Sequence, residues 1–279
     1  MPGDEKATVP ILSVGADKGQ PTSIAVKKSI SKDVVEINDY FLQGDDQPDL
    51  AELHTVSMQE LYENVYQSKQ PLIDGLLYAG AYLFVGAPKV GKSFLMAQLA
   101  YHISTGQSIW NYKVRKGSVL YLALEDDYRR LQGRLYRMFG TNSTKNLHFA
   151  ICAKQLGSGL DEQLQKFVQG HPDTKLIIID TLQKVRESGG DAYSYASDCE
   201  TVGRLKQFAD KNGICLLLVH HTRKQQADDK FDMISGTNGL LGAADGAFLL
   251  CKEKRVSNVA ILDVSGRDQQ EQRDRKSVV

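Results

Sequence analysis

One run constrains this chain more than any other: Gly86-Ala87-Pro88-Lys89-Val90-Gly91-Lys92-Ser93, which fits Gly-x-x-x-x-Gly-Lys-Ser/Thr at every fixed position. The apolar run Tyr82-Leu83-Phe84-Val85 before it reads as a buried strand. Lys92 to Ser104 after it reads as a helix with Phe94, Leu95, Leu99 and Ile103 on one side. A glycine-rich turn between strand and helix is a phosphate cradle. The glycines let backbone close on phosphate oxygens with no Cβ in the way. The loop N–H groups and the helix N-terminus both favour an anion. Lys92 is placed to reach β- and γ-phosphates, and the Ser93 hydroxyl to ligate Mg²⁺. Gly86, Ala87, Pro88, Lys89, Val90, Gly91, Lys92, Ser93 and Phe94 are therefore the expected nucleotide contacts, with ATP and Mg²⁺ as the ligands.

The rest of the pattern is compatible with one large α/β domain. Strands are predicted at Val119–Leu124, Leu147–Ile151, Leu176–Ile179, Ile214–Val219, Ala247–Cys251 and Val259–Val264. Helices are predicted at Tyr128–Phe139, Leu160–Val168 and Ser197–Lys211. Near-continuous apolar strands alternating with helices predict a mostly parallel twisted sheet with helices on both faces. The last two strands, joined by a polar turn at Lys252 to Asn258, predict a C-terminal β-hairpin.

Residues 1–50 lack periodicity and read as a disordered leader. Residues 51–70 read as a short helical lead-in, with Ser57 and Glu60 as a capping box and Gln70-Pro71 ending the helix. The ATPase domain is expected over 71–273. Asp274 to Val279 break off with no completed element and resemble a translated adapter, so the natural protein is expected to be longer.

Bulk properties exclude little. Lys+Arg and Asp+Glu both number 34, so whole-chain charge gives no signal for nucleic acid. The four cysteines, Cys152, Cys199, Cys215 and Cys251, form no CxxC pair, which argues against a zinc or redox site and fits a reducing cytosol. No segment is long and apolar enough to span a bilayer, so no membrane partner is expected.

Three further strand ends carry polar residues. Asp180 closes an apolar strand, the pattern that delivers a carboxylate to Mg²⁺. Glu125 closes another and is placed to deprotonate an attacking water. Asp126 and Asp127 are expected to cap the helix that follows. His220-His221 closes a third, where a polar group can sense the γ-phosphate or hold a DNA-binding loop that follows; His220 is preferred, with a simple strand cap as the competing reading.

Taken in order, the phosphate loop, Leu122-Ala123-Leu124-Glu125-Asp126-Asp127, Asp180-Thr181-Leu182 and His220-His221-Thr222-Arg223-Lys224 resemble the RecA-like P-loop NTPase core, and within it the RepA family of replicative helicases. The resemblance covers roughly residues 71–267. It implies a homohexameric ring with ATP between subunits, acting on single-stranded DNA. It also implies a Walker B role for Asp180, a catalytic role for Glu125 and a sensor role for one histidine. The inner loops map to Leu182–Ala196 and Arg223–Asn238, where Lys184, Arg186, Arg223, Lys224 and Lys230 are candidate phosphate contacts; the competing reading is ordinary solvated surface. The family often has Arg-Gly-Ser after the histidines, whereas this chain reads Ile234-Ser235-Gly236-Thr237. Arg267, just past the last expected strand, is the substitute candidate for an arginine finger. Two other readings stay open: a nucleotide-gated DNA-binding ATPase that does not unwind, and a RecA-like recombination ATPase.

Overall fold

The computed structural model describes residues 55–64, 70–186, 194–223, 231–234, 238–252, 259–267 and 269–277. The chain divides into two compact units, Met1–Tyr66 and Gln67–Val279. The leader expected over 1–50 lies outside the described residues.

Within the first unit, α1 spans Met58–Glu63. The capping box expected from sequence is present: Ser57 Oγ accepts from the Glu60 N–H at 3.2 Å, and Glu60 Oε2 accepts from the Ser57 N–H at 2.6 Å. The helix ends at Asn64, earlier than Gln70-Pro71.

The second unit is an eight-stranded sheet in the order β3-β2-β4-β5-β1-β6-β7-β8. The strands are β1 Gly80–Gly86, β2 Ser118–Ala123, β3 Leu147–Ala150, β4 Thr174–Asp180, β5 Cys215–His221, β6 Gly246–Cys251, β7 Val259–Gly266 and β8 Gln269–Ser277. From β3 across to β6 every pairing is parallel, and β6-β7-β8 is antiparallel. This is the RecA-like P-loop NTPase fold. The helices are α2 Lys92–Thr105, α3 Tyr128–Phe139, α4 Leu160–Gly170, α5 Leu182–Val185, α6 Tyr195–Asn212 and α7 Asn238–Ala243.

Two apolar cores lie on opposite faces of the sheet, because parallel strands bury both sets of alternating side chains. On one face Tyr82, Phe84, Tyr121, Ile178, Leu217 and Val219 pack against Leu95, Leu99 and Ile103 of α2 and Leu131 of α3. On the other, Leu83, Val85, Ile177, Ile179, Leu216 and Leu218 pack against Leu160 and Leu164 of α4, Val202 and Leu205 of α6, and Leu240 of α7.

Two expectations are corrected. The tail does complete an element: β8 pairs with β7 in register from Gly266↔Gln269 to Val259↔Ser277. Its sequence is almost entirely polar, so it carries no periodic apolar signal, and the strand shows itself only through its antiparallel pairing with β7. The first inner loop also begins with structure, since α5 occupies Leu182–Val185 and α6 already starts at Tyr195.

Candidate functional site

Strand order decides which side chains can meet. β5 lies between β1 and β4, and β2 lies beyond β4. The C-terminal sheet edge therefore reads, from β2 to β1, Glu125, Asp180, His220-His221 and the loop after Gly86. Open α/β sheets bind ligands in the crevice outside these strand ends.

The loop geometry requires its glycines. A Cβ on Gly86 would stand 2.8 Å from the Leu250 carbonyl oxygen on neighbouring β6. Gly91 adopts φ 110° at the N-cap of α2, a conformation that strains other residues, and offers no side-chain cap to the helix. The first N–H groups of a helix lack intrahelical acceptors, so an anion is the natural cap at this end. Ala87, Pro88 and Lys89 are exposed, whereas Val90 is buried and Phe94 half-buried.

Lys92 is buried and folds back over the loop. Its Nζ donates to the carbonyl of Gly86 at 2.7 Å and of Ala87 at 3.1 Å. Burial pushes its pKa down, opposed by the nearby carboxylates of Asp180 and Glu125. It also lies 3.2 Å from Nδ1 of His221. An ammonium donating to Nδ1 places the imidazole proton on Nε2. Burial, and then the Lys92 charge, hold the His221 pKa below its ordinary value.

Here the expectation for the histidines is corrected. His221, half-buried, meets Lys92. His220 is buried one residue earlier, in register with Val85, and so belongs to the opposite face of the sheet. Strand alternation separates them, and only the register shows which of the two faces α2.

Asp180 is 6% exposed, and its Oδ2 accepts from Ser93 Oγ at 2.9 Å and from Tyr121 Oη at 2.7 Å. Burial raises its pKa, and these two hydrogen bonds oppose the rise. Glu125 is exposed beside it, and Glu125 Oε1 accepts from Thr181 Oγ1 at 3.2 Å. The intervening Asp180–Thr181 peptide bond is cis. Ser93 and Asp180 offer hard oxygen donors, which suit Mg²⁺ completed by water and phosphate oxygens. Among the described residues no cluster of three or more His, Cys, Asp or Glu side chains forms a dense metal cage.

The acidic run after Glu125 divides its work. Asp127 caps α3, accepting from the Arg130 N–H at 2.8 Å, as expected. Asp126 does not cap. It pairs with Arg134 at 2.7 Å and, more loosely, with exposed Arg130 at 3.4 Å. Arg134 also lies 5.4 Å from the Phe94 ring centroid, a cation–π contact that joins α3 to the first turn of α2.

The basic residues expected to meet DNA do not share one environment. Lys184 and Arg223 are exposed. Arg186 is instead 6% exposed and ion-paired with fully buried Asp198, which corrects its assignment as a phosphate contact. Lys224, Lys230 and Ser235-Gly236-Thr237 lie outside the described residues. Arg267 is exposed and donates from Nη2 to the Gly242 carbonyl at 2.8 Å. Its N–H bonds to Asp245 O, and the Asp245 N–H to Ala81 O, so it sits by the start of β1. That is roughly 17 Å along the strand from the phosphate loop. Arg267 therefore does not join the site of its own chain.

A family model described as AAA domain matches residues 47–227, a span that holds the phosphate loop, Glu125, Asp180 and both histidines. The chain belongs to the AAA domain family. The AAA domain seen here is similar in fold to two solved structures. One is an ATPase domain, at 16% identity and TM-score 0.56, covering 71% of this chain and 80% of that one. The other is a DnaB-like replicative helicase studied with its interactions with primase, at 14% identity and TM-score 0.60. That match covers 78% of this chain, which spans 64% of the helicase. No curated protein matches the chain. No helix among the described residues is long and apolar enough to cross a membrane.

Tyr121, Thr181 and Arg134 support the candidate site residues from outside it, by contacts to Asp180, to Glu125, and to Asp126 with Phe94, and the sequence does not point to them or to His221 over His220. Tyr121 carried one usable signal: a phenol inside an otherwise apolar strand needs a hydrogen-bond partner.

Proposed function

We propose that this chain is the ATP-hydrolysing motor domain of a RepA-type replicative DNA helicase. It acts as a homohexameric ring on single-stranded DNA, in the replication of a plasmid, phage or mobile element. The observation that carries the reading is the convergence of Lys92, Ser93, Asp180 and Glu125 on one sheet edge, with Ser93 and Asp180 already joined at 2.9 Å. The fold shared with an ATPase domain and with a DnaB-like replicative helicase supports it.

Lys92 exchanges the carbonyls of Gly86 and Ala87 for phosphate oxygens. Ser93 and Asp180 would hold Mg²⁺, which would supply positive charge to the phosphates when bound. Glu125, exposed and oriented by Thr181, accepts the proton of the attacking water. His221 connects the state of the Lys92–phosphate contact to β5 and to the segment that follows it. Arg267 acts only in trans, from a neighbour that presents its other sheet edge.

Steady-state ATP hydrolysis with and without single-stranded DNA tests the reading. Strong stimulation by DNA is expected, with loss of turnover in Lys92→Ala. Glu125→Gln is expected to bind ATP without hydrolysing it. Full activity in Lys92→Ala would refute the phosphate assignment. Hydrolysis indifferent to DNA would favour the second reading, a nucleotide-gated ATPase without unwinding. The withdrawal of Arg186 from the surface favours that alternative.

A further inference from the structure

Beneath Asp180 lies a residue that the nucleotide reading does not use. Tyr121 is fully buried on β2, in register with Ile178, while Asp180 is in register with Ala123. Strand alternation puts Tyr121 and Asp180 on the same face, diagonally across two adjacent strands. The phenol spans that diagonal, and its hydroxyl donates to Asp180 Oδ2 at 2.7 Å. The Ser93 hydroxyl donates to the same oxygen at 2.9 Å. The Tyr121 ring packs 5.6 Å from the Phe149 ring within an apolar core. Phenylalanine would satisfy that packing equally well. The hydroxyl therefore has a role that packing does not explain.

A carboxylate rotates freely unless more than one partner fixes it. Ser93 alone makes a weak anchor, because a ligand-binding serine must also turn its oxygen toward the cation. Tyr121 supplies an anchor that comes from the interior and stays in place when the nucleotide leaves. Its ring is held in the core, which fixes where the phenol oxygen sits relative to Asp180.

We propose that Tyr121 is the positioning residue of the divalent-cation site: its hydroxyl holds Asp180 so that the carboxylate and Ser93 face one Mg²⁺ together. This rests on the nucleotide reading given above. Tyr121 touches neither nucleotide nor cation and acts through Asp180.

The test uses the full chain and the isosteric variant Tyr121→Phe, which removes one oxygen and keeps the ring. Binding of a fluorescent ATP analogue is measured first in EDTA, then as Mg²⁺ is titrated in. Mn²⁺ binding is followed independently by electron paramagnetic resonance. The variant is expected to fold and to bind nucleotide in EDTA as the parent does. Its half-saturating Mg²⁺ and Mn²⁺ concentrations are expected to rise about tenfold or more, the scale of one hydrogen bond to a charged group. In an Asp180→Asn background the same substitution is expected to add no further loss, because the hydroxyl acts through that carboxylate. Unchanged cation dependence would overturn the proposal, as would equal weakening with and without cation, or full additivity with Asp180→Asn. A parent protein whose nucleotide binding ignores Mg²⁺ would overturn the nucleotide reading and this inference with it.

Discussion

Arg134 and Arg186 each reach an aspartate shielded from solvent, from opposite faces of the sheet. Arg134, on α3, pairs with Asp126 at 2.7 Å and leans over Phe94. Each partner adjoins a site residue: Asp126 follows Glu125, and Phe94 follows Ser93. Arg186, at the end of α5, pairs with Asp198 on α6, beside the buried Leu182 and Val185. Its nearest site residue in sequence is Thr181, next to Asp180. The first pair ties the turn that carries Glu125 to the first turn of α2. The second ties the end of α5 to α6 at the margin of the core. A buried arginine thus says little about function until the identity of its neighbours is known.

The largest expected effect tests the second pair. Arg186→Ala leaves Asp198, wholly inaccessible, without its cation, at a cost of about 3–5 kcal/mol. The unfolding temperature should fall by roughly 10 °C for a domain of this size. Nucleotide affinity of the protein that remains folded should be unchanged. Replacing both partners, Arg186→Met with Asp198→Leu, should recover most of the loss, since the apolar pair no longer strands a charge. A DNA-affinity defect in that stable double variant would reinstate Arg186 as a phosphate contact.

The first pair should behave differently. Arg134→Met keeps most of the packing over Phe94 but releases Asp126 to its looser ion pair with exposed Arg130 at 3.4 Å. Its stability cost should be smaller, about 2 kcal/mol, because Arg130 and water can take over part of the charge. Turnover should fall about tenfold per folded molecule through misplacement of Glu125, with nucleotide affinity nearly unchanged. Comparing kcat with the dissociation constant for ATP checks this. Equal turnover in folded Arg134→Met would reduce both pairs to the same structural role.

The contrast also marks what the sequence could reveal. Gly86 to Ser93, Asp180 and Glu125 were legible because each is a local signal: a motif, or a polar residue ending an apolar strand. The parallel sheet was legible for the same reason, from continuous apolar runs such as Leu176–Ile179. Arg134 and Arg186 were not, because an arginine in an amphipathic helix and one in a polar loop look alike until the chain folds. His221 was hidden by register. Val85 pairs with His220 and Gly86 with His221, and no single strand contains that information. β8 was hidden because its order comes from its pairing with β7 and leaves no apolar signature.

A third arginine sharpens the comparison at its small end. Arg267 is exposed, and its guanidinium bonds to a carbonyl oxygen rather than to a buried carboxylate. Arg267→Ala should therefore change stability by less than about 1 kcal/mol, within the range of ordinary surface substitutions. Its position by the start of β1 keeps it from its own phosphate loop, so activity of isolated subunits should not change either. If Arg267 reaches a neighbour's nucleotide, its loss should depress ATP hydrolysis only in whatever oligomer forms, because an arginine finger acts on the transition state across an interface. Measuring turnover against protein concentration, with assembly followed by sedimentation, separates the two states. Parent-like turnover in fully assembled Arg267→Ala would leave Arg267 as surface. The finger would then be sought among the arginines of the remaining chain, and Arg134 and Arg186 would be excluded by their burial.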